Sequence, residues 1–179
     1  MNPTAAHAGL LGASMDYKAV VNRSSGDKGA MSPHFLSEFM NELLVGCPRC
    51  QKLAHLRSDM SPELESQAGG HRLTCTHCGL VRDQLSIHPY DIGAEIRGSG
   101  LKLWLVHACC GEQLWAMNER HLDFLINWIG QSQRPRQRNE SGYVNRSLES
   151  RLPQWMLQAH HRKEVLACCD SLKKRLLAD

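Results

Sequence analysis

The chain has 179 residues, 42% of them hydrophobic and 22% charged, and a net charge of +3 at pH 7. These proportions match an ordinary soluble domain and exclude a wholly disordered protein, while so small a net charge does not by itself mark a nucleic-acid binder. The sequence shows no run of about 18 apolar residues and no basic segment leading into an apolar one, so a cytoplasmic protein without a membrane span is expected.

Residues 1–33 are rich in Ala, Gly, Ser and Asn and poor in large apolar groups. They are predicted to form a disordered tail, because little in them can offset the entropy of ordering a backbone. Met31, just before the patterning begins, is a candidate translation start. Ser32 and Pro33 then resemble a helix N-cap followed by proline at the first helical position. Phe35, Leu36, Phe39, Met40, Leu43 and Leu44 repeat at helical spacing, which predicts a short amphipathic helix leading into Cys47.

Residues 34–100 read as one region. Cys47-Pro48-Arg49-Cys50 is followed by short apolar pieces at Lys52 to Arg57, Arg72 to Thr74 and Leu80 to Leu85, separated by Gly, Ser and Pro, as small antiparallel strands would be. Gly69 and Gly70 mark a turn before a second pair, Cys75-Thr76-His77-Cys78.

Residues 101–179 form the other region. Leu101 to Val106 reads as a strand, Cys109 to Glu112 as a tight turn, and Gln113 to Met117 as the returning strand of a hairpin. Asn118 is placed to cap a helix with Leu122, Leu125, Ile126 and Ile129 on one face and Gly130 at its end. Residues 131–146 form an exposed basic linker. Leu148, Leu152, Trp155 and Met156, then Val165, Leu166, Cys169, Leu172 and Leu176, support one or two closing helices, which Pro153 starts or interrupts. The expected fold class is therefore α+β: a small antiparallel ribbon, then a β-hairpin, then two or three C-terminal α-helices.

Two thiolates separated by two residues can reach one ion, because the backbone between them folds into a knuckle, and two such knuckles complete a tetrahedral shell. The 24 residues between Cys50 and Cys75 are enough for a pair of strands to bring the knuckles together. Cys47, Cys50, Cys75 and Cys78 are thus the candidate ligands of one structural Zn2+. Such a closed shell has no position for a reacting water and implies stabilisation, not catalysis. Gly79 suits a positive φ at the end of the second knuckle.

These two knuckles, Cys-Pro-Arg-Cys and Cys-Thr-His-Cys-Gly, resemble those of zinc-ribbon proteins of the transcription-factor-IIB type, and more narrowly those of uncharacterised bacterial zinc-ribbon proteins. The resemblance covers Cys47 to Leu85, and Gln51 stands where the first knuckle customarily has glycine. The stretches Cys109 to Asn118 and Ser147 to Met156 are similar to a recurrent bacterial architecture. The resemblance implies a non-enzymatic protein associated with nucleic acid or transcription.

Other candidates are weaker. Cys109 and Cys110 are adjacent and poorly placed to chelate one ion, although His107 with Cys110 has ligand-like spacing for half a second site. Cys168 and Cys169 lie in a helical pattern and read as small packing residues. Cys47 to Cys50 alone would suit a thiol-disulfide oxidoreductase, but that chemistry needs a βαβ setting and leaves the second pair unexplained. No His-Glu-x-x-His, no deaminase signature and no phosphate-cradling glycine loop is present, so no enzyme is expected.

Charge in the ribbon balances, with Arg49, Lys52, Arg57, Arg72, Arg82 and Arg97 against Asp59, Glu63, Glu65, Asp83, Asp91 and Glu95. Positive charge collects at Arg134, Arg136, Arg138 and Arg146, and continues through Arg151, Arg162, Lys163, Lys173, Lys174 and Arg175. A nucleic acid would be met through this C-terminal region. The alternative is a protein-interaction scaffold, in which the Leu122 to Ile129 helix and the closing helices offer an apolar groove to a protein partner.

Overall fold

The computed structural model describes residues 36–58, 70–131, 138–139, 142–143, 148 and 151–178. The predicted tail, the Ser32-Pro33 cap and the candidate nucleic-acid residues Arg134, Arg136 and Arg146 lie outside the described residues, as does the side chain of Arg138. The fold is α+β, with an antiparallel sheet and C-terminal helices. Among the described residues no helix is long and apolar enough to cross a membrane.

Four strands, β1 (Glu42–Gly46), β2 (Leu53–Ser58), β3 (His71–Thr74) and β4 (Val81–Leu85), form one antiparallel sheet in chain order. β1 corrects the sequence reading, which made Leu43 and Leu44 the end of a helix; only the 3-10 turn Leu36–Phe39 precedes the strand. The reason is burial on both faces. Leu43, Leu44 and Val45 are 0%, 5% and 0% exposed, and a strand covered on both sides shows a continuous apolar run that periodicity cannot tell from a buried helix. Leu44 turns its backbone away from β2: its N–H donates to the Met117 carbonyl and its C=O accepts from the Trp104 N–H, both at 2.8 Å. A helix here would leave those groups and the edge of β2 unpaired.

β2 and β3 alternate, with Ala54, Leu56, His71 and Leu73 inward, whereas β4 is mostly exposed at the sheet edge. The β3–β4 pairing shifts register between His71 and Leu73, where Gln84 takes φ +58°. Gly70 meets this irregularity. A Cβ there would stand 2.7 Å from Gln84 Oε1 and 3.0 Å from its Cα, so the close approach requires glycine.

The strand predicted over Leu101 to Val106 is divided. β5 (Glu95–Ile96) pairs with β6 (Leu101–Lys102), Leu103 bridges to Val45, and β7 (Leu105–Cys109) starts only after Trp104. β7 and β8 (Glu112–Ala116) form the expected hairpin, in register from Leu105–Ala116 to Cys109–Glu112. Its two-residue turn has positive φ at both Cys110 and Gly111, +53° and +80°, as a type I′ turn requires.

Asn118 caps α1 (Glu119–Gly130), its Oδ1 accepting the His121 N–H at 2.9 Å. Its Nδ2 donates to the carbonyls of Phe39 and Glu42 at 2.7 and 2.8 Å, tying the helix start to β1. Gly130 is the last helical residue, and the chain leaves through Gln131 in extended conformation. A short pair, β9 (Arg138–Asn139) and β10 (Gly142–Tyr143), crosses the basic linker. Pro153 starts the single turn α2 (Gln154–Leu157), and α3 (Arg162–Leu177) packs on α1 and β7. Lys173 reaches Glu119 and Asp123 of α1 at 2.8 and 2.6 Å. Arg175 lies over Trp104, 4.1 Å from the ring centre. The buried residues of the sheet, the hairpin and the helices make one continuous core.

Candidate metal centre

The β1–β2 and β3–β4 turns are the two Cys-x-x-Cys segments, and their backbones repeat one pattern. In the first, Gln51 N–H donates to the Cys47 carbonyl at 2.9 Å and Cys47 N–H to the Lys52 carbonyl at 2.8 Å. In the second, Gly79 N–H donates to Cys75 at 3.0 Å and Cys75 N–H to Leu80 at 2.9 Å. Both turns close with a left-handed residue, Gln51 at φ +62° and Gly79 at φ +69°. Gln51 therefore adopts the conformation that glycine takes in the second turn, and the departure from glycine changes the cost, not the geometry.

Direct pairing of β2 with β3, His55 opposite Thr74, sets the two turns side by side. The Sγ atoms of Cys47, Cys50, Cys75 and Cys78 all lie within 4.8 Å of one another. Cys47 to Cys78 and Cys50 to Cys75 are both 3.6 Å apart. An ion bound by four thiolates at about 2.3 Å would place the sulfurs about 3.8 Å apart, so these two edges need only slight expansion, and the remaining edges, none longer than 4.8 Å, only modest adjustment, to hold one. Cys47 and Cys75 are buried, Cys50 and Cys78 half-buried, and all eight cysteines are free thiols. This donor set fits a thiophilic metal ion, and the sequence-predicted ligands are brought together as a group.

The thiols also compete for charge. Burial opposes ionisation of Cys47, but the amides of Cys50 and Arg49 and the thiols of Cys50 and Cys78 outweigh it and bring Cys47 down to about 6. At Cys50 the Lys52 amide favours the thiolate, yet burial and the three neighbouring sulfurs prevail and push it up to about 12. One thiolate is favoured and its neighbour resisted; a bound dication reverses that and deprotonates ligands outright.

Cys47 to Cys50 occupies a turn between antiparallel strands, not the start of a helix in a βαβ unit. His77 and Arg49, at the tips of the knuckles, are exposed. His107 is exposed too, with Nδ1 2.6 Å from the Ala108 carbonyl, and it takes no part in any cluster of potential ligands among the described residues. A second group does form, from Cys109, Cys110 and Glu164. The sequence reading missed it because Glu164 is 54 residues from Cys110; the only local signal was Cys110-Gly111, the two-residue turn that folds the cysteines together. Of the basic C-terminal residues, Lys173 and Arg175 are engaged within the chain. The apolar face of α1 is likewise internal, since Leu122, Leu125 and Ile129 are buried. Comparison with protein-family models, with curated proteins and with solved structures finds no match to this chain.

Proposed function

We propose that the chain is a non-enzymatic zinc-binding protein in which one Zn2+, held by Cys47, Cys50, Cys75 and Cys78, fastens a zinc-ribbon sheet. The observation that carries this reading is the convergence of four sulfurs from two turns with the same backbone hydrogen bonds. Four thiolates at tetrahedral spacing suit zinc and leave no open position, so the metal stabilises and does not catalyse. The local core explains the need. Pro48, Arg49, Gln51, Lys52, Thr76, His77 and Gly79 are all exposed, so the knuckles bury little beyond their cysteines. Structural zinc supplies on the order of 10 kcal/mol to modules of this kind.

The partner proposed for this scaffold is a nucleic acid, met through Arg134, Arg136, Arg138 and Arg146. The support is the density of positive charge in that linker; the ribbon itself is neutral, and Lys173 and Arg175 are spent inside the chain. Retention of the full chain on immobilised DNA and RNA across a salt series tests this. Retention that falls steeply with salt, and that is lost in an Arg134→Gln, Arg136→Gln, Arg138→Gln variant with unchanged melting, is the expected result. No retention at low salt removes the nucleic acid and leaves a protein partner.

A further inference from the structure

Two of the remaining four thiols and one carboxylate meet where the β7–β8 turn touches α3, and a third thiol, that of Cys168, stands beside Cys109 just outside the group. Cys109 Sγ, Cys110 Sγ and a Glu164 carboxylate oxygen lie within 4.8 Å of one another. The two sulfurs are 3.9 Å apart, close to the tetrahedral edge of about 3.8 Å derived above. Cys168 stands one helical turn beyond Glu164, its thiol against that of Cys109 and 3.9 Å from the Ala108 carbonyl.

Adjacent residues of a strand point to opposite faces, which is why a Cys-Cys pair is ordinarily a poor chelate. Here the turn overrides the strand. Cys110 is its first central residue at φ +53°, and the left-handed backbone brings its sulfur round to the side of Cys109. A non-glycine residue in that conformation costs on the order of 1 kcal/mol, so the arrangement is not the cheapest way to close a hairpin. From the other side, Glu164 Oε1 accepts the Cys110 N–H at 3.1 Å, which fixes the carboxylate beside the two sulfurs. Cys109 and Cys168 are buried, Cys110 is half-buried and Glu164 exposed, so the group is walled by protein on one side and reaches solvent on the other. Several acids packed this tightly oppose one another's ionisation: burial first, then the thiols of Cys168 and Cys110, hold the Cys109 thiol well above its ordinary range.

We propose that Cys109, Cys110 and Glu164 form a second site for a thiophilic divalent cation of the zinc class, tying the β7–β8 turn to α3, with Cys168 beside Cys109 completing the shell by a small movement of its side chain. Three sulfurs and one carboxylate oxygen select a borderline-soft tetrahedral ion over magnesium or calcium, which need oxygen shells. With its only oxygen donor exposed, this site exchanges its ion more readily than the four-cysteine centre.

The test uses Co2+ as the probe, loaded into the full chain under reducing conditions, with unbound metal removed by gel filtration. Wild type is expected to hold two cobalt equivalents with thiolate-to-cobalt absorption, and a Cys110→Ser, Glu164→Gln variant one. Both substituted positions are partly solvent-exposed, and cobalt retained at the four-cysteine centre reports that the variant is folded. A chelator titration should empty the second site first. One equivalent in wild type overturns the proposal, as do two equivalents unchanged in the variant. A disulfide joining Cys109 to Cys110 or Cys168, found as a loss of two hydrogens in the intact mass of the reduced and loaded protein, also overturns it, because an oxidised pair cannot coordinate.

Discussion

Acidification should expose the energetic role of His121. This side chain is fully buried among Phe39, Trp115 and Phe124, with ring centres 5.2, 6.0 and 6.4 Å away. Its Nδ1 accepts the Met117 N–H at 3.2 Å, which places the ring proton on Nε2, and the described residues give Nε2 no hydrogen-bond partner. Burial lowers its pKa from 6.5 to about 3. The unfolded chain therefore binds a proton near pH 6.5 that the folded chain refuses until about pH 3. The stability this confers is complete above pH 6.5 and is lost as pH falls toward 3. At pH 5 the loss is RT ln(1 + 10^1.5), about 2 kcal/mol. His121→Asn retains an acceptor for the Met117 N–H but cannot titrate, so subtracting its stability from that of wild type cancels every other pH-dependent group, metal ligands included. Urea unfolding of both proteins at pH 8 and pH 5 should show the wild-type advantage shrinking by about 2 kcal/mol. An advantage that is the same at both pH values would refute the assignment of a buried neutral imidazole.

Three other outcomes follow from particular contacts. Gly79→Gln should cost about 1 kcal/mol in thermal unfolding and leave metal stoichiometry unchanged, because a Cβ there meets nothing within 4 Å and Gln51 already occupies the matching left-handed position; loss of the metal would contradict the equivalence of the two knuckles. Asn118→Asp should destabilise by about 3 kcal/mol although aspartate is a good N-cap, because it removes the donor serving Phe39 and Glu42 and sets a carboxylate against two carbonyls; a neutral effect by urea unfolding would show the cap to be its only role. Lowering the pH of the metal-loaded protein should release the ion as thiolates take up protons, with a steep dependence that reports several ligands titrating together; release independent of pH between 7 and 4 would argue against thiolate ligation.

The second and third strands were legible because each alternates, and the fourth because it follows a cysteine knuckle that bounds it. β1 was not, because Leu43, Leu44 and Val45 are buried on both faces and carry no period-2 signature. The hairpin, the Asn118 cap and the start of α1 were written locally, in Cys110-Gly111 and in a polar residue before an apolar face. The break at Trp104 was not, since it depends on Leu44 accepting from the Trp104 amide across the core. The four-cysteine group was readable because its spacing is its chemistry. The group around Cys109 and Cys110 depends on a left-handed backbone at Cys110, which the Cys110-Gly111 turn only hints at, and on Glu164 from a distant helix, which nothing in the sequence marks. The closing helices were visible as apolar positions, but the inward engagement of Lys173 and Arg175 was not, and it takes two cations from the charge cluster that suggested nucleic acid.

The central claim is a metal ion held by Cys47, Cys50, Cys75 and Cys78. Elemental analysis of the natively purified chain, beside Cys47→Ser and Cys75→Ser variants, tests it most directly. The account predicts zinc in wild type, and loss of one equivalent together with the folded ribbon in each variant. Zinc content that both substitutions leave unchanged would contradict it, and iron in place of zinc would keep the site while overturning the ion.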